Sequence, residues 1–256
     1  MKLLVKTTAA LLILLTVSCG PNRIYTTGTY GSIKSYTEKQ HFVDQKTTET
    51  YISGDVSFGR HMQEDEAFDD SKTIASINLH QNSTGRFYNY YFGVGAAAGR
   101  YKFKQGYLDL INDGETQAFY SVNLKAGINY TYTRPKVDYR FIGLELTYHN
   151  EFGPYQDKLS ELEDALSDII VINQKSLFAY NIYSEYVFKI KNDEALTLGF
   201  YFGDIISTGS IKEYSRQVNY SGFTMGLRMK KYTFHVVFES GENKIRSTKL
   251  GLSYQL

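Results

Sequence analysis

The feature that most constrains this 256-residue chain is a strict alternation of apolar and polar side chains, repeated over most of its length. In the clearest run, Ala118, Tyr120, Val122, Leu124, Ala126, Ile128, Tyr130 and Tyr132 fall on one side. Gln117, Ser121, Asn123, Lys125, Gly127, Asn129 and Thr131 fall on the other, and only Phe119 breaks the order. Successive side chains of a β-strand point to opposite faces, so this pattern predicts a sheet with one greasy and one polar surface. Ile142 to Tyr148, Leu196 to Phe202, Phe223 to Met229 and Leu250 to Leu256 repeat the split. Counting such runs predicts about ten strands, near 50–60, 73–81, 86–103, 117–133, 138–151, 176–190, 195–207, 218–229, 232–240 and 246–256.

Beyond the N-terminal segment there is no run of roughly 18 apolar residues, so helical membrane spans are excluded and only a closed β-barrel could carry the chain through a bilayer. The 23 Tyr, 16 Phe and 21 Gly against 3 Pro suit strands better than helices. Connections between the runs mostly alternate long and short, as in an up-and-down barrel. The expected class is therefore all-β: a closed antiparallel up-and-down barrel of about ten strands, with one short helix in a long loop. With 28 basic against 27 acidic residues there is no electrostatic footprint for nucleic acid.

Which way the apolar face looks must be argued from the polar one. It carries Gly93, Gly95, Gly99, Gly127, Gly143, Gly199, Gly203, Gly222, Gly226 and Gly251, with about one charge per strand. Bulk water gives a strand no reason to choose glycine, whereas a crowded lumen does, because bare backbone leaves room for large side chains from opposite strands. Eight alternating positions cover about 33 Å of depth at a 45° tilt, more than the ~25 Å apolar band of a membrane barrel. The apolar face is thus expected to meet lipid. The alternative is a soluble, lipocalin-like barrel with that face inward, carrying an apolar ligand. The inward set would be Asp55, Lys125, Glu145, Glu185, Arg228, His235, Glu239 and Lys249, whose mixed sign favours a salt-bridged interior over a porin-like, ion-selective channel.

The N-terminus reads as a processing signal over 1–18, with Lys2 and Lys6 before the short apolar stretch Ala9 to Val17. Thr16-Val17-Ser18-Cys19-Gly20 resembles the lipobox of bacterial lipoproteins, with Thr16 where Leu is usual. The resemblance implies cleavage before Cys19, the only cysteine, and its acylation (palmitate and related chains), which makes membrane lipid a partner. Residues 19–48 are polar, without sustained alternation, and are expected to form a lipid-anchored tether with a span on the order of 30 Å. Short β-structure fits Ile24 to Tyr30. The final strand, with Leu250, Leu252, Tyr254 and Leu256, resembles the carboxy-terminal insertion signal of outer-membrane barrels, and residues 49–256 resemble small outer-membrane barrel proteins. That resemblance implies an outer-membrane location with short turns in the periplasm; an even strand count then puts both termini there, beside an inner-leaflet anchor.

Chemistry is sparse. His80-Gln81-Asn82-Ser83 reads as a polar short turn. His149 with Glu151 reads as a surface pair at a loop end, without a serine partner. His61 with Glu64, Asp65, Glu66, Asp69 and Asp70 reads as an acidic solvated loop. No catalytic residue, metal or cofactor is assigned. In Pro154 to Ile170, Leu159, Leu162, Leu166 and Ile169 recur at helical spacing, predicting a loop helix that covers the barrel mouth or docks a protein partner. The functional expectation is a lipid-anchored outer-membrane barrel with a non-enzymatic structural or binding role. The alternatives are the lipocalin-like carrier and a lipid-modifying or proteolytic barrel enzyme, the latter needing His149 or His61 to meet a serine or acid.

Overall fold

The computed structural model describes residues 24–40, 46–61, 70–104, 110–165, 170–191, 193–206, 219–241 and 245–256. Residues 1–18, read from the sequence as a processing signal, and Cys19, Glu64, Asp65, Glu66, Asp69, Leu166 and Ile169 lie outside them. Ten strands close a barrel: β2 (Thr47–His61), β3 (Asp70–Thr84), β4 (Tyr88–Lys102), β5 (Thr116–Thr133), β6 (Val137–Phe152), β8 (Ser176–Lys191), β9 (Glu194–Ile206), β10 (Tyr220–Met229), β11 (Tyr232–Gly241) and β12 (Ile245–Gln255). Every neighbour is antiparallel. The wall closes where β12 meets β2, with Leu250 opposite Val56 and Gln255 opposite Tyr51.

The remaining elements sit at one end. Helix α1 (Pro154–Ala165) follows β6, and β7 (Ile170–Ile172) follows the helix. A short strand β1 (Ile24–Thr26) pairs parallel with β7 in a two-stranded sheet separate from the barrel. The helix ends before the expected Ile170, because that residue already belongs to β7.

Turn chemistry accounts for the opposite, short-turn end. Met229 and Tyr232 pair across the two-residue loop Lys230-Lys231, and Lys230 takes the left-handed conformation (φ 57°) that tight hairpins require. Asp193 does the same between β8 and β9 (φ 62°), as a short polar side chain tolerates best.

The apolar faces point outward. Leu124, Leu144, Phe200 and Leu252 are 56, 43, 59 and 40 % exposed, while their neighbours Lys125, Glu145, Tyr201 and Ser253 are buried inside. A continuous exposed apolar surface around a closed wall is far larger than a water-facing monomer tolerates, and it matches a hydrocarbon environment. An apolar-lined, lipocalin-like interior is thereby overturned, since the lumen holds the polar set.

A bulge in β6 breaks the register. Tyr130 pairs with Ile142 and Thr131 with Arg140, so Phe141 and Ile142 both face outward. The extra residue turns Arg140 and Asp138 into the lumen, where strict alternation would have sent them to lipid.

Candidate functional site: a lumen filled by the N-terminal segment

A ten-stranded barrel encloses somewhat more space than its own side chains fill, and here the chain supplies the filling. Residues 25–40 are buried almost throughout. They turn at Gly28 to Gly31 and then run without regular secondary structure from the long-loop end to the short-turn end. The reading of 19–48 as a polar, flexible tether is corrected over 25–40, which are buried inside the barrel. A segment wrapped on all sides by a polar lumen has no solvent face, so its residues do not sort into two faces and show no alternation.

Direction follows from the contacts. At the long-loop end Tyr25 packs on Phe103, and the Tyr155 hydroxyl of α1 donates to the Thr26 carbonyl at 2.8 Å. Burial raises the Tyr155 hydroxyl well above its ordinary pKa, so it stays protonated as the donor. At the short-turn end Arg140 Nη2 donates to the Lys39 carbonyl at 2.8 Å, and Thr84 Oγ1 donates to the Gln40 carbonyl.

Between these ends the wall meets the segment's backbone group by group, as buried amides demand. Glu151 accepts the N–H groups of Gly28 and Thr29 at 2.8 and 2.9 Å, and Lys72 donates to the carbonyls of Gly28 and Tyr30. Glu239 accepts the N–H groups of Ile33 and Lys34 at 3.0 and 3.1 Å, while Lys249 donates to the carbonyls of Ser32 and Lys34. Each Glu and Lys pair thus does what a neighbouring strand would do.

The segment's side chains are paired too. Lys34 Nζ lies 2.8 Å from Glu145, which also accepts the Tyr91 hydroxyl at 2.6 Å. Lys39 Nζ lies 2.7 Å from Glu185, shared with Arg140 at 3.1 Å. Lys125 donates to the Ser35 and Thr37 hydroxyls. Tyr36 stacks on His235 with ring centroids 4.6 Å apart, and Glu38 lies 3.9 Å from Arg228. Of the eight lumen residues read from the sequence, Lys125, Glu145, Glu185, Arg228, His235, Glu239 and Lys249 therefore touch the segment. Asp55 instead holds Ser76 at 2.7 Å and Lys249 at 3.8 Å.

Glycines on the wall make the room. A Cβ on Gly226 would run into the Tyr36 ring, and one on Gly143 into Tyr183, whose ring lies 4.7 Å from Lys39 Nζ. Phe119, out of step with its strand, points inward beneath Gly28 and joins Tyr25, Phe103, Tyr155, Leu159 and Leu162 in a dry cluster at the long-loop mouth.

Three histidines, His61, His80 and His149, are not where the sequence reading put them, whereas His235 lies in the lumen. His80 belongs to β3, buried, stacked on Tyr51 and 3.1 Å from the Glu38 carbonyl. His149 is buried in the lumen, not on the surface, beside a small cavity of about 20 Å3 lined also by Ser32, Ile33 and Lys249. That is room for one water. His61 is buried at the end of β2, opposite Asp70, which accepts the Tyr101 hydroxyl at 2.8 Å. Among the described residues no cluster of three or more His, Cys, Asp or Glu is arranged to hold a metal. Lys34, Glu38, Lys39, Lys72, Arg140 and Glu151 were missed as lumen residues. The adjacent outward pair Phe141-Ile142 was the signal that could have found Arg140.

Leu256 lies at the short-turn end, its N–H donating to the Thr50 carbonyl. Ile24 lies at the opposite end. An even strand count does not put the N-terminal side of the chain beside the C-terminus when the chain runs back through its own lumen, and that expectation is corrected for the first described residue.

No protein-family model and no curated protein matches the chain. Among solved structures, the translocator domain of the autotransporter NalP from Neisseria meningitidis aligns at TM-score 0.40 and 10 % identity, over 81 % of this chain and 88 % of that one. The outer membrane protein OprG from Pseudomonas aeruginosa aligns at 0.38 and 9 %, over 81 and 96 %. The transport unit of the autotransporter AIDA-I from Escherichia coli aligns at 0.38 and 6 %, over 84 and 93 %.

Proposed function

We propose that this protein is an outer-membrane β-barrel, lipid-anchored through Cys19, with a structural or binding role and no catalysis. The observation that carries the reading is the pairing of a greasy outer wall with a lumen filled by the chain's own polar segment. Such a wall belongs in a bilayer, and closed barrels are the β-structures that cross one. Among the described residues the segment occupies the lumen, and the cavity beside His149 is about 20 Å3, too small for a substrate. The lipobox-like Thr16 to Gly20 supports acylation at Cys19. A protein partner would meet the long-loop end, where Leu159 and Leu162 of α1 are already buried but Glu161, Glu163 and Asp164 are exposed.

Fractionation of expressing cells tests the location, and incorporation of labelled palmitate tests the anchor. The expected result is an outer-membrane band whose gel mobility changes on boiling and which takes up palmitate, with Cys19→Ala abolishing uptake. A soluble periplasmic product would contradict the membrane reading, and palmitate uptake retained by Cys19→Ala would contradict the anchor.

A further inference from the structure

We infer that the barrel threads its own N-terminal segment outward, so that the peptide ahead of Ile24, Cys19 included, emerges at the long-loop mouth and faces the cell exterior. The inference rests on the proposed outer-membrane reading for which side is outside, but the threading itself rests on the lumen contacts.

Three observations carry it. The segment's polarity along the lumen is unambiguous: Gly28 and Thr29 meet Glu151 near the long-loop end of β6, Lys34 meets Glu145 midway, and Lys39 meets Arg140 and Glu185 toward the short turns. The chain then enters β2 at Thr47, opposite Thr84, on the short-turn side. Its other end is clamped at the long-loop mouth, where β1 pairs with β7 and the Tyr155 hydroxyl holds Thr26.

Distance excludes a return. Cys19 precedes Ile24 by five residues, at most about 18 Å of fully extended chain. The wall is taller: β2 has 15 residues, and such a strand is about 50 Å long, or about 35 Å high at a 45° tilt. A residue 18 Å from the long-loop mouth cannot lie in the leaflet at the short-turn mouth. Acyl chains on Cys19 would therefore insert into the outer leaflet, so the occupant of this end is the external lipid surface.

The test is cysteine accessibility in the full chain, where an acylated Cys19 is unreactive. Asn22→Cys reports on the threaded end, Asp113→Cys on an exposed turn of the long-loop side, and Lys231→Cys on a short turn. Intact cells are treated with a membrane-impermeant maleimide, then permeabilised and treated again, and boiling-dependent gel mobility verifies folding of each variant. The expected result is that Asn22→Cys labels on intact cells together with Asp113→Cys, while Lys231→Cys labels only after permeabilisation. Labelling of Asn22→Cys in step with Lys231→Cys would overturn the threading, as would silence in both states while Asp113→Cys reacts. If Lys231→Cys alone labels on intact cells, outward display is overturned together with the assumed barrel orientation, whereas failure of the outer-membrane reading itself appears separately in the fractionation.

Discussion

Lys39 of the threaded segment places its ammonium 2.7 Å from the Glu185 carboxylate of β8, and Arg140 binds the same carboxylate at 3.1 Å. All three are buried, so the triad joins the segment to two wall strands where water does not compensate a lost charge. Removing the shared acid leaves two cations facing each other. Glu185→Gln is expected to destabilise the folded barrel by about 3–5 kcal/mol, and Lys39→Met by less, because Arg140 still satisfies the carboxylate. Urea titration in detergent, read by boiling-dependent mobility, measures both.

Deleting residues 24–40 takes away the groups that pair with Glu145, Glu239, Lys125 and Lys249. Those charges would hydrate, and a water-filled lumen conducts ions. Planar-bilayer recordings are expected to show steady conductance for the deletion variant and none for the intact chain.

Gly226→Leu would place a branched side chain where the Tyr36 ring lies. The wall is rigid backbone while the segment is held by side chains, so the segment should give way. Expected outcomes are a loss of stability of about 1–3 kcal/mol and intermittent conductance, measured in the same two assays.

On the outer wall, Leu124→Arg should be costly in a way that depends on lipid. At the middle of a bilayer, an arginine on the lipid face costs about 2–4 kcal/mol. Folding into vesicles should weaken by that amount, with a smaller effect for the same change at Leu256, at the short-turn end of the wall.

The barrel was legible because each wall strand separates two environments, lipid and lumen, and that separation writes itself as alternation. Gly143, Gly226 and their neighbours revealed which face was crowded. Where one residue serves a different neighbour the pattern failed: Phe119 turns inward to the aromatic cap, and the bulge at Phe141-Ile142 delivers Arg140 to Glu185. The larger miss, residues 24–40, has a single cause. A segment enclosed on all sides presents one environment to every side chain, so its polar composition looks the same as that of a tether in water. The charged wall residues are buried, but nothing in their spacing said that seven lumen residues would hold a guest.

The most direct test of a lumen occupied by the chain's own N-terminal segment is a crosslink across it. Ser32 Oγ of the segment and Ser57 Oγ of β2 lie 2.9 Å apart. Ser32→Cys combined with Ser57→Cys should oxidise to a disulfide in the folded barrel, detected by mass spectrometry, while Ser32→Cys with Ser253→Cys, near the short turns, should not. A folded barrel in which the first pair stays reduced under oxidant, or in which both pairs link equally, would contradict the account.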